Sequence, residues 1–155
     1  MSALNALRRS LFLLVLLAAC PAPAQTNHVA HDQFKWAHDL LRRGERHLAV
    51  KTFEEFLDRF PEDDKYPDAL YFRGFIAHLD GDNTLAAIYL SRVENTQIVP
   101  DHLVDLLRGK VATDLGKHAE AIRHLDKIDL HKLTEKIRAE VWLTRAACHQ
   151  RLQKL

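Results

Sequence analysis

The sequence predicts an all-α protein, an α-solenoid of three antiparallel helix pairs closed by a C-terminal capping helix. Three observations carry this. Small residues recur at a long fixed period, apolar residues recur at helical spacing, and Pro61, Pro67 and Pro100 fall where helices stop or start. With Ala37, Gly74 and Gly109 as anchors, Gly44, Gly81 and Gly116 stand seven residues later, and Ala49, Ala86 and Ala121 twelve later. Phe53, Leu90 and Leu125 follow at sixteen and Phe56, Val93 and Ile128 at nineteen, while Phe34, Tyr71 and Leu106 precede by three. All five glycines occupy two columns of this register, whose units lie 37 and 35 residues apart.

Residues 1–24 read as a leader outside the fold. Arg8 and Arg9 make a positive start and Leu11 to Ala19 an apolar run, shorter than the roughly 20 residues that span a bilayer as a helix. Two processing signals overlap behind it. Leu17-Ala18-Ala19-Cys20 is similar to a bacterial lipobox, which makes Cys20 a lipidated N-terminus; Ala22-Pro23-Ala24 is similar to an ordinary cleavage site. Both send the protein across a bacterial inner membrane. The expected location is periplasmic, with outer-membrane anchoring if Cys20 carries lipid.

Residues 25–29 form a short linker, and residues 30–155 the repeat domain, with units near 30–64, 67–99 and 101–130 and a cap at 132–153. Helices are expected near 30–43, 46–59, 67–80, 83–94, 101–115, 118–127 and 132–153. The anchor residue is small so that a second helix can approach the first. The second glycine column suits a turn with positive φ, and the alanine column sits where the two helices cross. The bulky residues four and seven places after the alanines point into the same core. Pro61 closes the first pair. Pro67 and Pro100 enter the first turns of the next two, where a missing N–H matters little, with Asp68 and Asp101 beside them at the positive helix ends. The last helix carries Leu133, Ile137, Val141 and Trp142 as an apolar stripe, like the first helix of a fourth, uncompleted unit.

At 155 residues the chain supports one domain or one short repeat array. With 47% hydrophobic and 28% charged residues the composition is globular. Without residues 1–24 the balance is twenty basic against twenty-one acidic residues, which excludes nucleic-acid binding by bulk basicity. Cys148 is then the one remaining cysteine, in an apolar-rich stretch that favours a buried, inert thiol, so no intrachain disulfide supports the fold.

The register resembles the tetratricopeptide-repeat family, with Ala49-x3-Phe53 followed by Pro61 matching its signature. Units two and three carry Leu90 and Leu125 at the aromatic position. The runs Phe53–Pro61 and Asp68–Gly74 resemble exported bacterial members, among them the Tol-Pal-associated periplasmic protein and the lipoprotein of the barrel-assembly complex. The resemblance implies a concave groove lined by first helices. Its lining would be Phe34, His38, Leu41 and Arg42 in unit one, Tyr71, Phe75, His78 and Leu79 in unit two, and Leu106, Lys110, Thr113 and Asp114 in unit three. Phe34, Tyr71 and Phe75 also suit plain packing between helices, and Arg42, Lys110 and Asp114 an ordinary solvated face.

No catalytic motif occurs, and no cofactor or metal is expected. The ten histidines include His28, His31 and His38 on one stretch, yet they lack the spacing of a zinc site. Glu62-Asp63-Asp64 lacks EF-hand spacing. The expected function is a non-enzymatic, exported adaptor whose groove takes a peptide or helix of another envelope protein. There is no nucleic-acid partner, and membrane contact runs only through a lipid on Cys20. The alternative is a structural subunit that self-associates or docks through its C-terminal helix around Trp142 and Leu143. A histidine-based metal-binding protein using His31 and His38 is the third.

Overall fold

The computed structural model describes the backbone of residues 23–153 and the side chains of residues 28–153; of the segment read as a leader, residues 1–22, including Cys20, lie outside them, and Pro23 and Ala24 are helical. Seven α-helices follow in order among the described residues. They are α1 (Pro23–Arg42), α2 (Arg46–Arg59), α3 (Tyr66–Leu79), α4 (Asn83–Ser91), α5 (Asp101–Asp114), α6 (His118–Leu125) and α7 (Glu135–Leu152), with a 3-10 turn at Leu130–Lys132 before the last. Each odd helix pairs with the even helix after it, and each even helix packs on the next odd one, so the chain is a helix-pair solenoid. The segment 25–29 expected as a linker is helical and belongs to α1.

The three turns within pairs share one geometry. Gly44, Gly81 and Gly116 have φ of 81°, 84° and 73°, a region that a side chain strains. The Gly44 N–H donates to the Leu41 carbonyl and the Glu45 N–H to that of Leu40, both at 3.0 Å. The same two bonds recur from Gly81 and Asp82 to His78 and Ala77, and from Gly116 and Lys117 to Thr113 and Ala112. This double bond satisfies carbonyls that a helix end otherwise leaves open, and the next helix begins at once.

The anchors do what close approach requires. A Cβ on Gly74 would lie 2.9 Å from Leu90 Cγ, and one on Gly109 would lie 2.7 Å from both Cγ and Cδ2 of Leu125. Ala49, Ala86 and Ala121 are fully buried at the crossings.

The core runs through the seams between units. Ala69, Phe72 and Ile76 of α3 pack on the unit-one cluster around Phe53 and Phe56. Val104, Leu107 and Val111 of α5 join the unit-two cluster around Leu90, and Val141 of α7 joins Leu106, Leu125 and Ile128. At the same columns unit one has Asp32, Lys35 and Asp39, so its outer side is polar, as the end of a stack requires.

Two helices are shorter than their pattern suggests, one at its end and one at its start. Helix α4 stops at Ser91 rather than near 94 because the following loop is held elsewhere. Asp68, fully buried in the first turn of α3, accepts hydrogen bonds from the N–H groups of Gln97 (2.9 Å), Ile98 (3.0 Å) and Val99 (2.8 Å). Helix α7 begins at Glu135 rather than 132, because Asp129 accepts from the His131 N–H (3.1 Å) and organises the 3-10 turn first. That backbone bond, with Lys132 beside it, holds the Asp129 carboxyl below its ordinary range.

Candidate protein-binding face

The first helices of the units lie on one side of the stack, α3 against α5 and α5 against α7. Their columns at +1, +4 and +5 from the anchor carry residues that link one unit to the next along this side. Polar and aromatic contacts run along this side from unit to unit. The His38 ring of α1 meets Phe72 of α3, centroids 5.1 Å apart. His78 of α3 lies 3.6 Å from the Asp114 carboxylate of α5, and its Nδ1 also sits 2.8 Å from Asn83 Oδ1. Lys110 of α5 pairs with Glu140 of α7. Thr113 of α5 lies 3.1 Å from the Sγ of Cys148, the buried free thiol of α7.

Between these links lies an apolar strip in α3. Tyr71 and Phe75 stack nearly parallel, centroids 6.3 Å apart at 4°. Phe75 is half-buried and Leu79, one turn on, is exposed. Tyr71 is 9% exposed, and burial pushes its phenol up to about 12. It therefore stays neutral across the physiological range and acts by shape and hydrogen bonding.

The expected groove residues divide by column. His38, Phe75, His78, Lys110 and Asp114 share this face and are joined by the links above. Arg42 is exposed at its end, 3.9 Å from Asp39. Tyr71, in the same column as Phe34 and Leu106, is likewise buried, 9% exposed within the unit-two core. Phe34 and Leu106 do not reach the face. Phe34 is 4% exposed among Phe53, Phe56 and Phe72, and Leu106 is 5% exposed against Leu125 and Val141. Both stand one turn before their anchors, so both point at the paired second helix or the next unit.

His31 and His38 do not converge. The His31 ring faces the Lys65 ammonium at 3.0 Å, and His38 is engaged with Phe72. Among the described residues no three His, Cys, Asp or Glu side chains come together to hold a metal ion, and no helix is long and apolar enough to cross a membrane.

The sequence reading misses an arginine column at −1. Arg73 is buried and donates from Nε and Nη2 to Glu54 of α2 (3.1 and 2.8 Å), with its guanidinium 4.7 Å from the Tyr89 ring centroid. Arg108 donates to the carbonyls of Leu90 (2.8 Å) and Val93 (2.7 Å), closing the C-terminal end of α4. Arg145 pairs with Asp126 at the end of α6. Each ties its unit to the one before. Carrying the register one period further, to Ala146, brings all three into one column.

Beside Arg108, His124 lies 3.5 Å from Asp105. Desolvation, reinforced by Lys127 and Arg108 and only partly opposed by Asp105, lowers its pKa and favours a neutral ring.

Comparison with known families agrees with this architecture. The tetratricopeptide repeat model matches residues 34–102, from the first aromatic of α1 into the first turn of α5, and supports a tetratricopeptide-repeat family for the chain. Such repeats generally mediate protein–protein interaction and typically act as non-catalytic scaffolds. No curated protein and no solved structure matches the chain.

Proposed function

We propose that this protein is an exported bacterial adaptor that holds a peptide or helix of another envelope protein along its first-helix face. The observation that carries the reading is the Tyr71–Phe75–Leu79 strip. It is apolar, partly open and bordered by charged and polar groups from His38 to Asp114, a pattern suited to an amphipathic segment. Phe75 and Leu79 anchor the apolar side of the partner, with Tyr71 stacked on Phe75. His78, Lys110 and Asp114 set its direction through hydrogen bonds, and Arg42 steers an approaching acidic group. Export rests on the leader at 1–24, with the protein either released after Ala24 or anchored by lipid on Cys20.

Binding to a detergent-solubilised envelope fraction tests the groove. Phe75→Ala and Leu79→Asp should reduce capture of the principal partner at least about tenfold, while Tyr71→Phe keeps the ring and most of the affinity. Unchanged capture by Phe75→Ala and Leu79→Asp, with melting temperatures equal to the parent, removes this face from the function. Mass spectrometry of the mature N-terminus, in the parent and in Cys20→Ser, tests export. A diacylglycerol mass on Cys20 or an N-terminus at Gln25 is expected, and an intact Met1 start overturns it.

A further inference from the structure

The arginines at −1 occupy equivalent seams between units, and what covers them differs. In the first seam Arg73 donates to the Glu54 carboxylate, at +17 in the preceding unit, and lies 4.7 Å from the ring centroid of Tyr89, at +15 in its own. In the third, Arg145 meets Asp126, again at +17. In the second seam the same two columns hold Ser91 and His124. The neighbouring columns lose bulk too, with Ala87 in the place of Val50 and Leu90 in that of Phe53. These four smaller residues, together with Arg108, line a cleft of about 240 Å³ between α4 and α6, floored by Val111 and Ala112 of α5. It lies where a carboxylate and an aromatic ring lie in the first seam. Sites for drug-sized ligands run to roughly 300–1,000 Å³, so its occupant is small.

The charges differ in the same sense. The first seam has its own cleft nearer the turn, about 470 Å³, which stops short of these columns and is bordered by Asp80 and Asp82. In the second seam those places are Leu115 and Lys117, so two acids give way to a base. Glu120, in the place of Leu85, lies 3.9 Å from Lys117 and offsets it. Arg108 donates from Nε and Nη2 to the carbonyls of Leu90 and Val93, which are neutral. Its Nη1 lies 3.8 Å from Asp105, beyond hydrogen-bond distance, and its side chain is 23% exposed against 7% for Arg73. Among the described residues Arg108 lacks the bonded carboxylate that Arg73 and Arg145 have.

We propose that this cleft binds a small aromatic carboxylate, whose acid group stands in for Glu54 and whose ring stands in for Tyr89. The carboxylate accepts from Nη1 of Arg108, a charge-assisted bond that the second seam otherwise goes without. The ring lies beside the guanidinium, as Tyr89 lies beside Arg73, and packs on Leu90 and Val111. A free acid and the C-terminal tyrosine of a peptide present these same two groups. The cleft opens between second helices, so it is separate from the Tyr71–Phe75 strip and either can fail without the other.

Titration of the isotope-labelled protein with para-hydroxyphenylpropionate tests the site by NMR. Saturable shifts are expected at the amides of Leu90, Ser91, Val111 and His124, with a dissociation constant of about 1 mM or below. The carboxamide of the probe, and propionate without the ring, should each bind at least about tenfold more weakly. Ser91→Glu returns a carboxylate to its column and should weaken the probe at least about tenfold while melting at or above the parent's temperature. His124→Tyr returns the ring and should weaken the probe likewise. No saturable shift up to about 10 mM overturns the proposal, as does equal binding of the carboxamide or undiminished binding by Ser91→Glu. Shifts confined to Phe75 and Leu79 also overturn it, because they assign the probe to the first-helix face. Acetyl-glycyl-glycyl-tyrosine with a free carboxylate identifies the source in a parent that binds the probe. Tighter binding than the probe assigns the site to a protein C-terminus, and weaker binding to a free acid.

Discussion

Replacing Gly109 by alanine separates helix propensity from helix packing. In an exposed helix the change is favourable by about 1 kcal/mol, because glycine is the more flexible residue in the unfolded chain. Here the new methyl would lie 2.7 Å from two carbons of Leu125, a fully buried side chain at the centre of the α5–α6 crossing. Relief requires Leu125 to leave its rotamer or α6 to move away from α5. Overpacking of this kind costs about 1–3 kcal/mol, so the gain in propensity is cancelled and the net expectation is a loss of up to about 2 kcal/mol. Urea unfolding followed by circular dichroism measures it, and for a chain of this size the melting temperature should fall by a few degrees. The sharper assay is the cycle with Leu125→Ala. That substitution alone opens a cavity and costs about 2–5 kcal/mol, but it also removes the atoms that Gly109→Ala strikes. The double variant should therefore be more stable than the sum of the singles by about 1 kcal/mol or more. A Gly109→Ala protein more stable than the parent by about 1 kcal/mol, or a cycle that adds within about 0.3 kcal/mol, would refute the claim that this glycine exists to let the helices touch.

Ala86→Leu places three carbons at the α3–α4 crossing, where Ala86 is fully buried, and should cost about 1–3 kcal/mol in the same assay; parental stability would mean the helices do not meet there. Asp68→Ala leaves the N–H groups of Gln97, Ile98 and Val99 without their carboxylate and should cost about 2–4 kcal/mol, with faster hydrogen exchange confined first to those three amides; uniform exchange rates would refute the local anchor. His124→Gln tests the acid response. The native pKa of His124 is below the 6.5 of a free imidazole, so its contribution is fully present above about pH 6.5 and is lost as pH falls through the depressed value. The variant's urea midpoint should decline less than the parent's between about pH 7.5 and pH 5, and identical declines would refute the coupling.

Much of the fold is legible in the chain because glycine has no substitute at two of its tasks. The turn column requires positive φ in all three units, and at Gly74 and Gly109 the anchor column leaves no room for a Cβ, whereas unit one keeps a methyl at Ala37. Less of the candidate face is legible. Column −3 lies one turn from the anchor, and the anchor is where the second helix crosses, so Phe34, Tyr71 and Leu106 are drawn inward. Columns +1, +4 and +5 lie on another side, which brings His38, Phe75, His78, Lys110 and Asp114 together. The early end of α4 is illegible for a different reason. Asp68 reads locally as an acid at a helix start, and its engagement of a loop 29 to 31 residues away depends on the stack having formed. Sequence spacing within a window cannot register that contact.

The arginine column shows how a repeat can keep a position while its chemistry changes. Arg73 finds an ion pair with a half-exposed glutamate, Arg108 finds the bare carbonyls of a helix end, and Arg145 finds an aspartate at the close of α6. Glu54 and Asp126 hold the same place, 17 residues after their anchors and 19 before their arginines; in unit two that place is Ser91, and Arg108 turns to backbone carbonyls instead. What is shared is geometry: a residue at −1 leans over the preceding second helix, and a long planar cation can reach whatever acceptor lies there. In unit one, where no earlier helix is described, the same column holds Trp36, half-exposed, with the Arg43 guanidinium 5.5 Å from its ring centroid. An arginine at that place would gain nothing from its reach. The column thus follows the seams of the stack, and because each unit touches only its neighbours, the loss of one arginine should loosen one seam and leave the others closed.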